Sequence, residues 1–411
     1  MARILVAGGS LGGLMAANML LRDGHDVLVL EKVPGSLDGR GAGIVTHKRL
    51  VEGLERAGLD ADASLGVAVP GRVLLDARGE VQTAFDLPQV LTSWSRLYSL
   101  LFDIFPRERY VQPATVSEVR ADHDGVTVRY GDQELQADLL VASDGIRSAV
   151  RQQFAPAIEP HYAGYVAWRG VCDEAVLSRR TREMVFGRFA FGLPAGEQLI
   201  AYPVAGPGHA LEVGHRRYNF VWYRPADEAQ LRALMTDADG DYYAAGIPPN
   251  KVSWRAVATM RAAARELLAP QFAEVMEKTA QPFLQAIYDV SSERIAFGRV
   301  ALMGDASFVA RPHVGAGVTK AAEDAMALSD AIRVHGATPA ALVAYEAERL
   351  AVAQAIVERG RRLGAYLQAY SGGARRPRSV SEDVDVVHDT AIELDGCTVQ
   401  DLLSVRGALP A

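Results

Sequence analysis

The run Gly8-Gly9-Ser10-Leu11-Gly12-Gly13 has the residue types needed to cradle a diphosphate. Glycines allow close backbone approach, and the N–H groups and positive end of a helix starting there attract the anion. Glu31 follows at about the twenty-residue spacing at which a carboxylate accepts hydrogen bonds from a ribose. The strict pattern wants glycine where Ser10 stands, and serine is small enough for the same approach. A carboxylate at Glu31 repels a 2′-phosphate, so the expected dinucleotide is NAD- or FAD-like rather than NADP. Two further motifs could do chemistry: Asp144-Gly145-Ile146-Arg147-Ser148-Ala149-Val150-Arg151, and Gly304-Asp305-Ala306 continuing to Arg311-Pro312-His313 and Gly315-Ala316-Gly317. His47 and His313 titrate near neutrality and are candidates to accept or hold a substrate proton, with a hydrogen-bonded loop histidine as the bland alternative for each.

Each motif needs an element to aim it, and each follows a short apolar run: residues 3–7, 139–142 and 300–303. Apolar runs without alternation are what a parallel sheet covered on both faces requires. The first run, a helix over 12–22 and a second strand over 26–30 make a βαβ unit. Helices are expected over 48–57, 318–334 and 339–366, and in pieces between 226 and 277. Residues 161–223 are rich in aromatic and β-branched types and read as strands. There, period two puts Ile200 and Tyr202 on one face and Tyr218, Phe220 and Trp222 on one face. Tyr202 is a candidate pocket residue. Nucleotide-fold features at both ends with a β-rich block between them indicate a discontinuous α/β domain interrupted by a second sheet domain.

Composition narrows the class. The 411 residues carry 43 Lys+Arg against 50 Asp+Glu, a net charge of −7, which argues against a nucleic-acid binder. Two cysteines exclude a disulfide framework and a cysteine-rich zinc site, and fit a reducing cytoplasm. No His/Asp/Glu cluster has metal-ligand spacing, so no metal is expected. Residues 4–21 carry no charge, but the glycines among them suit a strand, turn and helix better than a membrane span. No membrane association is expected, and a homodimer stays open.

The three motifs, in this order and each after an apolar strand, resemble those of the single-component FAD-dependent aromatic hydroxylases of the para-hydroxybenzoate hydroxylase fold. The resemblance reaches to about residue 370. Ser10, the stretches 162–171 and 199–203, and Arg311-Pro312-His313 look most like the subgroup acting on hydroxypyridines. Phe308 and the run Gly315-Ala316-Gly317-Val318-Thr319 depart from the wider family's pattern.

The resemblance implies a Rossmann-like FAD-binding domain of residues 1–72, 92–157 and 283–371, a β-sheet substrate domain of 73–91 and 158–282, C-terminal helices, and a loosely structured tail over 372–411. It implies NAD(P)H- and O2-dependent hydroxylation of an electron-rich aromatic or N-heteroaromatic ring through a flavin C4a-hydroperoxide, with NADH or NADPH as transient reductant. Implied FAD contacts are Gly8, Ser10, Leu11, Gly13, Glu31, Lys32, Arg40, Arg96, Asp144, Asp305, Pro312, Gly315, Ala316 and Gly317. Asp305 would hold ribityl hydroxyls, Arg96 and Arg40 would approach the phosphates, and the amides after Gly315 would face the flavin pyrimidine edge. His47, His313 and Tyr202 are the catalytic candidates. Arg169 and Arg188 could each bind an anionic ring substituent. The alternatives are a non-catalytic FAD-binding module, or a flavin halogenase or other flavin oxidoreductase on this fold. The halogenase stretch Trp-x-Trp-x-Ile-Pro is missing from the sequence.

Overall fold

A computed structural model of the protein describes residues 1–37, 43–60, 65–368 and 378–405. Arg40 lies outside the described residues.

The short apolar runs do assemble into one sheet. Its strand order is Ala296–Phe297, Val300–Leu302, Leu139–Ala142, Arg3–Ala7, Asp26–Leu30 and Tyr110–Val111, parallel except for the first pair. The strands are buried on both faces, as their continuous hydrophobicity requires. Helix Leu11–Arg22 packs on the sheet and against helix Gly317–His335, which also meets Lys48–Ala57 and Pro339–Gly364. A three-stranded sheet, Val116–Ala121, Val126–Tyr130 and Gln133–Ala137, stands beside this unit.

The β-rich block forms an eight-stranded sheet in the order Phe283–Asp289, His161–Asp173, Arg217–Pro225, Gln198–Val204, Phe189–Gly192, Val67–Leu75, Val81–Ser93 and Gly43–Thr46. Gly43–Thr46, residues 67–72, residues 92–93 and Phe283–Asp289 therefore belong to the large sheet, whereas the expected boundaries put them in the nucleotide domain. Apolar runs show that a strand is buried but not which sheet takes it. One face, with Trp168, Phe220 and Trp222, packs under helices Trp254–Leu267 and Pro270–Lys278. The other, with Tyr165, Ile200, Tyr202, Val221 and Tyr223, looks toward the parallel sheet's domain.

The tail is not loosely held over its described part. Ser379 and Glu382 form a capping box at the start of helix Val380–Asp389, and Val387 and Thr390 are buried. The wholly buried Arg72 guanidinium anchors this segment. It donates to the carbonyls of Thr390 (2.6 Å), Ala391 (3.0 Å) and Val387, and to Gln89 Oε1 (2.9 Å). The Gly-Gly and Arg-Arg-Pro-Arg runs and the acidic residues suggested a solvated tail, and its apolar residues are too few in number to make a core of their own. They complete one instead.

Replacing Arg72 by Met leaves several buried carbonyls unpaired and is expected to cost about 3 kcal/mol. In limited proteolysis of Arg72→Met, residues 378–405 should become the first region cut. Wild-type protease resistance and an unchanged urea midpoint would contradict the anchoring role.

Candidate active site

The three motifs meet at the carboxyl ends of adjacent parallel strands, where an open α/β sheet places its ligands. The sheet's hydrogen bonding runs on into each motif: Gly8 N–H donates to Leu30 O (2.8 Å), Ser143 N–H to Ala7 O (2.7 Å) and Met303 N–H to Ala142 O (2.9 Å). Gly8 has a φ of +97°, and a Cβ on it would lie 2.3 Å from Ser143 O. A Cβ on Gly13 would lie 1.9 Å from Gly8 O. The turn is thus closed to any larger residue at these two positions. Ser10 precedes the first helix, with Leu11 as its first residue, buried. The Glu31 carboxylate accepts from Gly9 N–H and Val33 N–H, both at 2.8 Å. Gly8, Ser10, Glu31, Lys32, Trp94, Asp144 and Arg147 share the lining of a cavity of about 400 Å³.

The second motif is a clamp. One Asp144 carboxylate oxygen accepts from Ala149 N–H (2.8 Å), at the start of helix Ala149–Phe154, and its Oδ1 is buried without a partner among the described residues. Ser148 caps the same helix by accepting from Arg151 N–H (2.8 Å). The wholly buried Arg151 donates to the carbonyls of Ile146, Ile158 (3.1 Å) and Ala306 (2.9 Å). The motif's last residue therefore ties the first half of the chain to the Gly304-Asp305-Ala306 turn. Gly304 is held as well by Asp324, which accepts from its N–H (3.1 Å), and by Lys320, which donates to its carbonyl (3.0 Å). Arg147 reaches across to the Ala244 carbonyl and forms no ion pair among the described residues.

Asp305 opens into a second cavity of about 310 Å³. Desolvation raises its pKa, and the nearby Lys320 ammonium opposes the rise. Pro312, Gly315 and Gly317 line the same cavity, while Ala316 is buried at the N-cap of helix Gly317–His335. Gly315 has a φ of +67° and a Cβ there would lie 2.5 Å from Ala391 Cβ, so the C-terminal segment presses on this loop. The far wall is the large sheet, with Arg169, Phe189, Ile200, Tyr202, Val221 and Tyr223. Thr390 and Ala391 close one side.

Of the catalytic candidates, Tyr202 is in this wall. It stacks on Phe189 with 5.0 Å between ring centroids, and burial raises its pKa to about 12, opposed by Arg169. The two histidines are not in the lining. His47, 2% exposed, precedes helix Lys48–Ala57 with Nδ1 3.0 Å from Thr319 Oγ1, and desolvation lowers its pKa. His313 is a core histidine, with Nδ1 2.7 Å from Gln198 Oε1 and Nε2 2.9 Å from the Tyr165 hydroxyl. The amide oxygen can only accept, so the pairing assigns the proton to Nδ1. Desolvation first, and then Arg311, lower its pKa to about 3. Both nitrogens of His313 are thus occupied, which takes it out of the catalytic role, whereas His47 Nε2 is buried without a partner among the described residues.

Arg96 follows the Ser93 N-cap on helix Trp94–Asp103, and its Nε is buried without a partner among the described residues. Arg188 pairs loosely with Asp86 at 3.7 Å and is absent from the cavity wall. Tyr218, Phe220 and Trp222 face the helices, and the alternate residues Val221 and Tyr223 face the cavity. Alternation was readable from the sequence, but which phase faced the ligand was not. Thr390 and Ala391 gave no sequence signal.

A glycine turn closed to side chains, an acidic strand end, orphaned polar atoms on Asp144 and Arg96, and a carboxylate opening into a second cavity together fit FAD. The class so defined is a two-domain, dinucleotide-dependent oxidoreductase with a cavity between the sheets. Residues 162–289 match the family described as FAD binding domain-like. The chain is 32% identical to 2,6-dihydroxypyridine 3-monooxygenase of Paenarthrobacter nicotinovorans, over 91% of this chain and 93% of that protein. It is 30% identical to an FAD-dependent urate hydroxylase of Klebsiella pneumoniae, over 84% of this chain and 85% of that one. The solved 2,6-dihydroxypyridine-3-hydroxylase from Arthrobacter nicotinovorans superposes with a TM-score of 0.83 at 30% identity, covering 92% of this chain and 98% of that one. The chain belongs to the FAD-dependent monooxygenases that hydroxylate aromatic rings. No helix among the described residues is long and apolar enough to cross a membrane.

The folded pKa of His313, about 3, lies below the 6.5 of an unperturbed histidine. As pH falls, the unfolded chain therefore takes up this proton first, and stability is lost between about pH 6.5 and 3. His47, lowered by the same cause, acts in the same direction. The unfolding free energy of His313→Gln should vary less steeply over this window in denaturant titrations. A slope equal to wild type would show that His313 is not buried neutral.

Proposed function

We propose that this monooxygenase acts on a hydroxylated pyridine or related electron-rich ring, with NADH or NADPH as the electron donor. In the overall balance, the ring, O2, a hydride and a proton give the hydroxylated ring and water. The substrates named for the relatives, a dihydroxypyridine and urate, are nitrogen heteroaromatics carrying ring oxygens and support this choice. The observation that carries it is the place of Asp305. It lies in the turn Gly304–Ala306 just after strand Val300–Leu302 of the dinucleotide sheet and lines the aromatic-walled cavity with Gly315 and Gly317, which supports one space shared by the cofactor's ring end and the substrate.

In this reading Gly8, Ser10, Leu11, Gly13, Glu31 and Lys32 hold the adenosine and diphosphate end, with Arg96 and the Asp144 turn beside the phosphates. Asp305 takes the ribityl hydroxyls, while Pro312, Gly315, Ala316 and Gly317 hold the pyrimidine edge. The helix N-terminus at Gly317 favours negative charge there by about 1 kcal/mol, or more when buried. FAD, when bound, supplies hydride acceptance and oxygen activation. The chain supplies orientation and exclusion of water. Phe189, Ile200, Val221 and Tyr223 give the substrate ring an apolar wall, and Tyr202, neutral at physiological pH, offers a phenolic donor to a ring oxygen.

Purified protein should carry FAD, and hydroxypyridines should accelerate its NADH or NADPH oxidation and gain one oxygen atom by mass spectrometry. Bound FAD with nucleotide oxidation that no hydroxypyridine or phenol accelerates would favour the non-catalytic module.

A further inference from the structure

Strand His161–Asp173 delivers Tyr165, Ala167 and Arg169 to the cavity face of the large sheet by period two. Tyr165 and Ala167 are core residues, so a charged side chain continues an apolar row into the substrate cavity. Arg169 lies beside Val221 on one neighbouring strand and Phe283 on the other. Its Nη1 donates to Gln285 Oε1 (2.7 Å), and its Nε is buried without a partner among the described residues. The other arginine of the lining, Arg311, is neutralised by Asp289 at 2.9 Å. Arg169 is half-buried and has no carboxylate partner among the described residues, and an unpaired cation lining an apolar cavity favours a bound anion.

The rest of this wall offers donors. The charge of Arg169 offsets part of the rise in pKa that burial imposes on Tyr202 and Tyr223, so the guanidinium is electrostatically coupled to both phenols. Both stay protonated. Gln285 Oε1 is already used by Arg169, and Thr390 Oγ1 donates to Val386 O and accepts from Gln198. Asp305, the carboxylate in the lining, is assigned to the cofactor end in the proposed function. A guanidinium with phenolic donors around one apolar space matches an anionic oxygen on an aromatic ring and supplies no base to create it there.

We infer that Arg169 is the specificity-determining residue of this cavity, binding the substrate ring through an anionic ring oxygen and selecting the deprotonated hydroxy-arene over its neutral form. This rests on the assignment of the cavity to the ring substrate. It explains how a ring becomes electron-rich in a cavity whose lining contains no histidine. A charge-assisted hydrogen bond from the guanidinium holds the anion.

The test uses the FAD-loaded protein and isothermal titration calorimetry with three probes: 4-nitrophenol, 4-nitrobenzoate and nitrobenzene. Wild type should bind 4-nitrophenol more tightly than nitrobenzene, increasingly so as pH rises through the phenol's own titration, and with the absorbance band of bound phenolate. Arg169→Gln should weaken 4-nitrophenol by about tenfold or more and leave nitrobenzene unchanged, while Arg169→Lys should restore part of the loss. Equal binding of 4-nitrophenol by Arg169→Gln and wild type would overturn the inference, as would wild type binding 4-nitrophenol no better than nitrobenzene. A stronger dependence of 4-nitrobenzoate than 4-nitrophenol on Arg169 would also overturn it, in favour of a ring carboxylate. FAD content and hydroxypyridine-stimulated nucleotide oxidation, measured on the same wild-type sample, report separately on the proposed function.

Discussion

Arg151 and the Ala306 carbonyl are 155 residues apart in sequence and 2.9 Å apart in space. That hydrogen bond joins the two chain regions that must meet for a cofactor to bridge the cavities. On one side stand the glycine turn and the Asp144 clamp, on the other the Asp305 turn and the helix starting at Gly317. Arg151 is fully desolvated and answers to carbonyls at Ile146, Ile158 and Ala306. Removing it would leave those oxygens unpaired where water cannot reach, which is why a solvent-seeking side chain sits in so apolar a place.

The same device recurs around the substrate cavity. Arg72 fixes the C-terminal segment by donating to its carbonyls, and that segment brings Thr390 and Ala391 to the cavity. Arg359 donates to carbonyls of the same region at Asp389, Leu402 and Ser404. Buried guanidiniums thus act as brackets between pieces of chain that share no strand or helix. Arg169 is the contrasting case. It too projects from the large sheet, but its hydrogen bond goes to Gln285 on the adjacent strand, and it lines the cavity proposed for the substrate ring.

Much of the geometry proposed for the cofactor end was legible because it depends on local chain geometry. A turn that admits no Cβ at Gly8 or Gly13, an acidic residue at the next strand end and a carboxylate after a third strand leave direct marks in sequence. Helix Lys48–Ala57 coincides with its expected range because Gly58 stops it in a left-handed conformation. The substrate end was less legible because it depends on phase and on distant packing. Whether Phe220 or Val221 faces the cavity is decided by which face the helices cover. His313 lies in a motif shared with cofactor-binding loops, but its ring is consumed by Gln198 and Tyr165 from other strands. The segment after residue 378 follows a Gly- and Arg-rich run and mixes its apolar residues with acidic ones, so its order shows only once Arg72 and the sheet are placed against it.

The bracket made by Arg151 is most directly tested by the FAD dissociation constant, measured by titrating deflavinated protein and following flavin fluorescence. Arg151→Met should bind FAD about tenfold or more weakly than wild type, a loss of ~1.4 kcal/mol or greater, with the far-UV circular dichroism of the folded protein retained. An Arg151→Met protein that is folded and binds FAD as tightly as wild type would contradict the account.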